Sequence, residues 1–93
     1  EKRLLSDLKE ACDAVERAVI VPLNDNQFGA LVSFVFNCGA GNFRSSTLLR
    51  RLNEGDYKSV PMQLMRWTKA AGKIMPGLTR RRSAEGDLFQ KPT

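Results

Sequence analysis

Apolar residues recur along this chain at helical spacing and nowhere alternate long enough for a useful strand. In RLLSDLKEACDAVERAVIV, Leu4, Leu8, Ala11, Val15 and Val19 return every three or four positions, and Leu5 and Cys12 widen the stripe. Glu10, Asp13, Glu16 and Arg17 fall elsewhere on the wheel. The pattern predicts a helix of about four turns, ended by the β-branched run and Pro22. No capping residue stands before Glu1, so the segment reads as the inside of a longer helix.

In PLNDNQFGALVSFVFNCG, Asn24 and Gln27 have the spacing of a capping box. Phe28, Leu31, Val32, Val35 and Phe36 then form a broad apolar face, while Ala30 and Ser33 leave room for a neighbouring helix. This helix is expected at the centre of the core, with Gly39 as a left-handed C-terminal stop. Beyond GAGNF, Ser45 or Ser46 is expected to cap a short helix carrying Leu48, Leu49 and Leu52, which Gly55 ends. Asp56 or Ser59 opens the next, where Pro61 is tolerated in the first turn and Met62, Leu64, Met65 and Trp67 supply the apolar side. AAGKIMPG reads as a loop. LTRRRSAEGDLF reads as a last helix anchored by Leu78, Ala84, Leu88 and Phe89 and weakened at Gly86 by roughly 0.5–1 kcal/mol. The fold class is all-α, a bundle of about five helices with short connections.

At 93 residues the chain is expected to form one helical domain. Its apolar runs, AVIV and FVF, fall far short of the roughly 20 residues of a membrane span, and no export signal opens it. Cys12 and Cys38 fit no metal spacing and read as small buried hydrophobes. The absence of histidine excludes histidine triads, histidine–carboxylate metal sites and a histidine general base. Neither a metal nor a cofactor is implied.

The carboxylate pairs Asp7/Glu10, Asp13/Glu16, Glu54/Asp56 and Glu85/Asp87 lack the apolar setting that keeps a catalytic acid protonated, and read as solvated surface. Charge is uneven. Residues 1–43 carry four basic and six acidic groups, and residues 44–93 carry eleven and four. Such a field attracts polyanions, whether nucleic acid, an anionic membrane or a wall polymer. Arg80, Arg81 and Arg82 point about 100° apart on a helix, so one or two are expected in buried ion pairs and the rest in solvent. Gly39-Ala40-Gly41 lacks the lysine and preceding strand of a phosphate loop, and Tyr57 and Trp67 read as packing residues.

Several unusual strings occur in order: NQFGALVSFVFN, GAGNFRSSTLL, RW followed by AAGK, and PGLTRRR. Together they resemble the larger lobe of phage-type lysozymes, the endolysins of lambdoid phages and prophages. The resemblance covers nearly the whole chain: residues 1–21 resemble the helix that joins the two lobes, and 22–93 the core of the helical lobe. It implies an endo-acting muramidase that cuts peptidoglycan to lyse the host, made in the bacterial cytoplasm and acting on the periplasmic wall. In that family the catalytic glutamate, aspartate and threonine lie in a smaller lobe that nothing in these residues resembles. No catalytic residue is therefore carried over, and the chain is expected to be inactive alone.

The resemblance carries over Asn37 and Gly39 as residues that face the cleft and touch peptidoglycan. It matches the arginines of GLTRRR to a helix packed near the catalytic glutamate's segment, so that Arg80 or Arg81 is expected to meet a carboxylate of the small lobe and Arg81 is counted with the substrate-binding residues. It also implies that the small lobe, supplied separately, or a second copy through dimerisation or domain swapping, covers the exposed cleft face. The chain departs from the family pattern at Pro61, where a good helix former is usual, and at GDLF, where a charged or alanine-rich continuation is usual. The alternatives are a non-catalytic protein that binds peptidoglycan or a protein partner and, as the weakest of the three, a nucleic-acid-binding domain.

Overall fold

The computed structural model describes residues 2–93, with side chains from residue 8 onward. Leu4 and Leu5, expected in the first apolar stripe, fall outside those side chains. The all-α expectation holds. Helices run over α1 (Lys2–Ala18), α2 (Asp25–Cys38), α3 (Ala40–Arg44), α4 (Thr47–Asn53), α5 (Val60–Leu64) and α6 (Pro76–Gln90), with a 3-10 turn at Tyr57–Ser59 and a short antiparallel pair β1 (Lys69–Ala70) and β2 (Lys73–Ile74).

α2 is central, as its pattern requires. Its start is the expected capping box: Asn24 Oδ1 accepts from Gln27 N–H at 2.7 Å, and Asn24 N–H donates to Gln27 Oε1 at 2.9 Å. Ala30, Leu31, Phe34 and Val35 are buried, with α1 and α6 packed against them. From α1, Ala11, Ala14 and Val15 enter the core. α1 ends at Ala18, and Asn53 clamps that end. Its Nδ2 donates to the Ala18 carbonyl at 2.9 Å and its Oδ1 accepts from Ile20 N–H at 2.9 Å, serving backbone groups that a helix end leaves open. Tyr57 adds a hydroxyl donated to the Pro22 carbonyl at 2.6 Å.

The α2–α3 join differs from expectation in two respects. Gly39 has a positive φ of 98° but an extended ψ of 147°, so it turns the chain without the left-handed helical conformation. Its N–H still closes α2 on the Val35 carbonyl at 2.7 Å. The residues after it form α3 because Phe43 is drawn wholly into the core, where its ring stands edge-on to Phe34 at 6.2 Å. Ser46, rather than Ser45, caps α4: its Oγ accepts from Leu49 N–H at 3.1 Å and donates to the Phe43 carbonyl at 2.7 Å. Leu48, Leu49 and Leu52 then bury as read, and Gly55, at φ 88°, stops the helix.

Two faces are phased differently from the sequence reading. In α5, Val60, Gln63 and Leu64 point inward while Met62 is 73% exposed and Met65 39%. In α6, Arg82, Glu85, Gly86 and Phe89 point inward, while Ala84 is exposed and Leu88 is at the surface. The cause is the contact between these helices. A Cβ on Gly86 would lie 3.3 Å from Pro61 Cβ and 3.5 Å from its Cα, so the two departures from the family pattern fit one another. AAGKIMPG is also more ordered than a loop, since Lys69 pairs with Ile74 and Ala70 with Lys73. The reversal between them places Ala71 at φ 54° and Gly72 at φ 80°, the conformation that two-residue hairpins require.

The seam between α2 and α6 holds a buried ion pair. Arg82 is 0% exposed and Glu85 4%. Arg82 Nε donates to Glu85 Oε1 at 2.6 Å and Nη2 donates to Oε2 at 2.8 Å, a bidentate fork. Ser33 Oγ donates to the same Oε2 at 2.6 Å, and the guanidinium lies 5.2 Å over the Phe34 ring. The expectation that one arginine of the run is buried in an ion pair is met by Arg82. The reading of Glu85 as solvated is corrected, because α6 turns that residue onto α2.

Three stability effects follow. Arg82→Met leaves the Glu85 carboxylate buried without its partner and costs about 3–5 kcal/mol in urea unfolding, whereas Arg82→Met with Glu85→Leu loses less than that single change. Gly86→Ala lowers stability by about 1 kcal/mol although alanine is the better helix former, since the rigid Pro61 backbone must move. Ala71→Asn relieves the positive φ and raises stability by about 0.5–1 kcal/mol, seen as a higher denaturation midpoint with an unchanged m-value.

Candidate functional site

The three residues singled out in the sequence lie about the C-terminal end of α2 and the middle of α6. Asn37 is in the last turn of α2 and exposed. Its Oδ1 accepts from Arg82 Nη1 at 3.0 Å, so the buried guanidinium fixes the orientation of an exposed amide. Its Nδ2 donates to no partner among the described residues and points the free donor away from that contact. Gly39 follows at the turn; a Cβ there would meet nothing within 4 Å, so its positive φ, not crowding, requires glycine. Arg81 is 43% exposed, with Nε 3.6 Å from Glu85 Oε2. Asn37 and Arg81 thus reach the same Arg82–Glu85 pair from two helices, and Gly39 lies two residues beyond Asn37.

Four further residues belong to this arrangement and were not singled out: Ser33, Cys38, Arg82 and Glu85. The spacing of Arg82 and Glu85 on a helix was visible, but their burial depends on α2. Cys38 is half-buried and free, as is Cys12. Arg82 Nη1 lies 2.9 Å from Cys38 Sγ. Burial pushes the Cys38 thiol above its ordinary range, and the Arg82 charge opposes that shift without cancelling it. The thiol is therefore neutral near pH 7 and packs as a weakly polar hydrophobe.

Beside the turn, α1, α2 and α3 enclose a groove of about 460 Å³ whose lining includes Glu10, Phe36, Gly39 and Arg44. A second hollow of about 580 Å³, with Lys9, Asp13, Arg17 and Arg44 on its walls, shares Glu10, Ala40 and Arg44 with the first. Gly39 lines the groove; Asn37 and Arg81 stand outside it. Glu10 is exposed and Asp13 half-buried, and Glu85 has both oxygens engaged by Arg82 and Ser33. Among the described residues no carboxylic acid is held in an apolar pocket free to protonate a leaving group, and no group of three or more His, Cys, Asp and Glu side chains stands where it could hold a metal ion.

In sequence and in helical arrangement the chain is similar to known proteins. The family model described as Phage lysozyme matches residues 1–85. The endolysin of Bacillus phage B103 is 42% identical over 96% of this chain and 34% of its own length, and the SAR-endolysin of bacteriophage PS119 is 48% identical over 94% and 53%. Among solved structures, the muramidase domain of SpmX from Asticaccaulis excentricus superimposes with a TM-score of 0.89 at 41% identity, over 96% of this chain and 63% of that one. A mutant of P22 lysozyme does so with a TM-score of 0.86 at 41% identity, over 95% and 60%. The chain spans about a third to a little over half of the two endolysins. With both the sequence over residues 1–85 and the helical arrangement in agreement, the chain belongs to the phage lysozyme family.

Proposed function

We propose that this chain is the helical lobe of a peptidoglycan-degrading muramidase of the endolysin type and supplies one wall of its substrate cleft. The observation that carries the reading is Asn37, an exposed amide whose carbonyl is pinned by a buried arginine. An amide fixed in this way offers its N–H groups to the acetamido carbonyls and hydroxyls of a glycan with little loss of side-chain freedom on binding. Gly39 next to it leaves bare backbone for close approach, and the half-exposed Arg81 suits a carboxylate of the wall polymer or of a facing lobe.

Hydrolysis of a glycosidic bond needs a carboxylic acid to protonate the leaving oxygen and a second group across the bond. Glu85 is the buried carboxylate here and is committed to Arg82. The acid is therefore assigned to a partner lobe, joined to this one or separate, and residues 1–93 act as a single helical domain that binds without cutting. The site of action is the periplasmic wall of a bacterial host in whose cytoplasm the protein is made. Nucleic-acid binding is the poorer account, since the densest basic run turns its Arg82 into the core.

Residues 1–93 should leave the turbidity of a bacterial wall suspension unchanged yet sediment with purified walls. Asn37→Ala and Arg81→Ala should each weaken that sedimentation by about threefold to tenfold, with helical circular dichroism retained. Clearing of the suspension by residues 1–93 contradicts the assignment of the acid to another lobe. Undiminished sedimentation of both variants contradicts the binding site.

A further inference from the structure

A second surface is not absorbed by the cleft. Between Tyr57 and Ala84 the chain carries seven basic residues and no carboxylate, an unbroken positive stretch in a protein whose acidic groups lie before and after it. Arg82 alone of the seven is buried. The same stretch holds four of the large exposed apolar side chains: Met62 at 73%, Met65 at 39%, Ile74 at 66% and Met75 at 42%. Met62 on α5 and Met65, which caps it in helical backbone conformation, are three residues apart and lie on one side. The hairpin returns Met75 to the same end, because Met75 N–H donates to the Thr68 carbonyl at 2.9 Å, three residues beyond Met65. Arg66, Lys69 and Lys73 are exposed among these side chains.

We propose that α5 and the β1–β2 hairpin form a docking surface for an anionic lipid bilayer. Charge complementarity selects an anionic partner, since residues 57–84, which build α5 and the hairpin, carry cations and no carboxylate, and the exposed Asp87 of α6 is the acidic group that follows the Gly86–Pro61 contact. The apolar side chains select a lipid among anionic partners. A wall polymer or a nucleic-acid backbone has nothing to bury against two methionines on a helix and an isoleucine on a hairpin, whereas a bilayer interface takes flexible methionine and isoleucine into the acyl boundary while lysine and arginine stay at the headgroups. The chain lies on the surface and does not span it, because no helix among the described residues is long and apolar enough to cross. Neither the groove that Gly39 lines nor the Asn37 contact includes a residue of α5 or the hairpin, and the inference does not depend on the cleft reading.

The test is co-sedimentation of the chain with vesicles of phosphatidylglycerol and phosphatidylcholine mixed, against vesicles of phosphatidylcholine alone. Binding to the mixed vesicles and not to pure phosphatidylcholine is expected. Each lysine near such a surface strengthens binding about fivefold, so Lys69→Gln with Lys73→Gln should weaken it by roughly 25-fold. Met62→Ser with Ile74→Ser, which leaves every charge in place, should weaken it about tenfold, and Lys9→Gln with Arg17→Gln on α1 should not. The fold should survive these changes because all six side chains are outside the core, which helical circular dichroism verifies. The proposal is overturned if mixed vesicles bind no better than phosphatidylcholine, if the serine variant binds like the parent, or if the α1 variant loses as much as the lysine variant. It is also overturned if the serine and lysine changes reduce retention on DNA or walls but not on vesicles.

Discussion

A guanidinium withdrawn completely from water must be met on every side, and the seam between α2 and α6 is shaped by that demand. Arg82 finds both oxygens of Glu85, the amide oxygen of Asn37, the sulfur of Cys38 and the face of Phe34. Glu85 in turn receives Ser33. Four of these partners, Ser33, Phe34, Asn37 and Cys38, come from the second half of α2, so α6 satisfies its charge only at one rotation and one height against α2. An apolar contact would tolerate sliding by a fraction of a turn; a bidentate pair with four further partners does not. Among the described residues no buried side-chain nitrogen or oxygen lacks a hydrogen-bond partner, which is the condition for a charge in this position.

The other contacts follow from that placement. With Arg82 and Glu85 turned toward α2, Gly86 faces α5, and the absence of a side chain there lets the backbone of Pro61 come close. α5 therefore lies with Val60 and Leu64 inward, and its methionines are left to solvent. On the far side, Asn53 and Tyr57 tie the end of α1 and the segment after it to the α4 region. The aromatic column of Phe43, Phe34 and Trp67, with centroids 6.2 and 5.5 Å apart, fills the space between these ties.

The same network connects the interior to the surface at which wall binding is proposed. Asn37 is a surface residue with a core partner, so the position of its amide is as well defined as that of the buried pair behind it. This is the arrangement a binding residue needs, with an exposed contact group whose supporting shell is rigid. The groove along α1, α2 and α3 shares no lining residue with α5 or the hairpin.

Much of the fold was legible in residues with a local role. The Asn24/Gln27 box and Gly55 act within a few positions, and the leucines of α4 and the apolar face of α2 recur at helical spacing, which periodicity reports directly. The family strings carried the identity of the family and of its helical arrangement. What the sequence alone did not contain was the direction in which short or charged helices face. Three arginines in a row offer no stripe, and α5 has a single turn and a half from which to take a phase. Only the docking of α6 onto α2 decided that Arg82 and Glu85 go in, that Ala84 stays out and that Met62 remains in water. The physical reason is that burying a charge depends on partners dozens of residues away, and their approach is a property of tertiary packing rather than of local pattern.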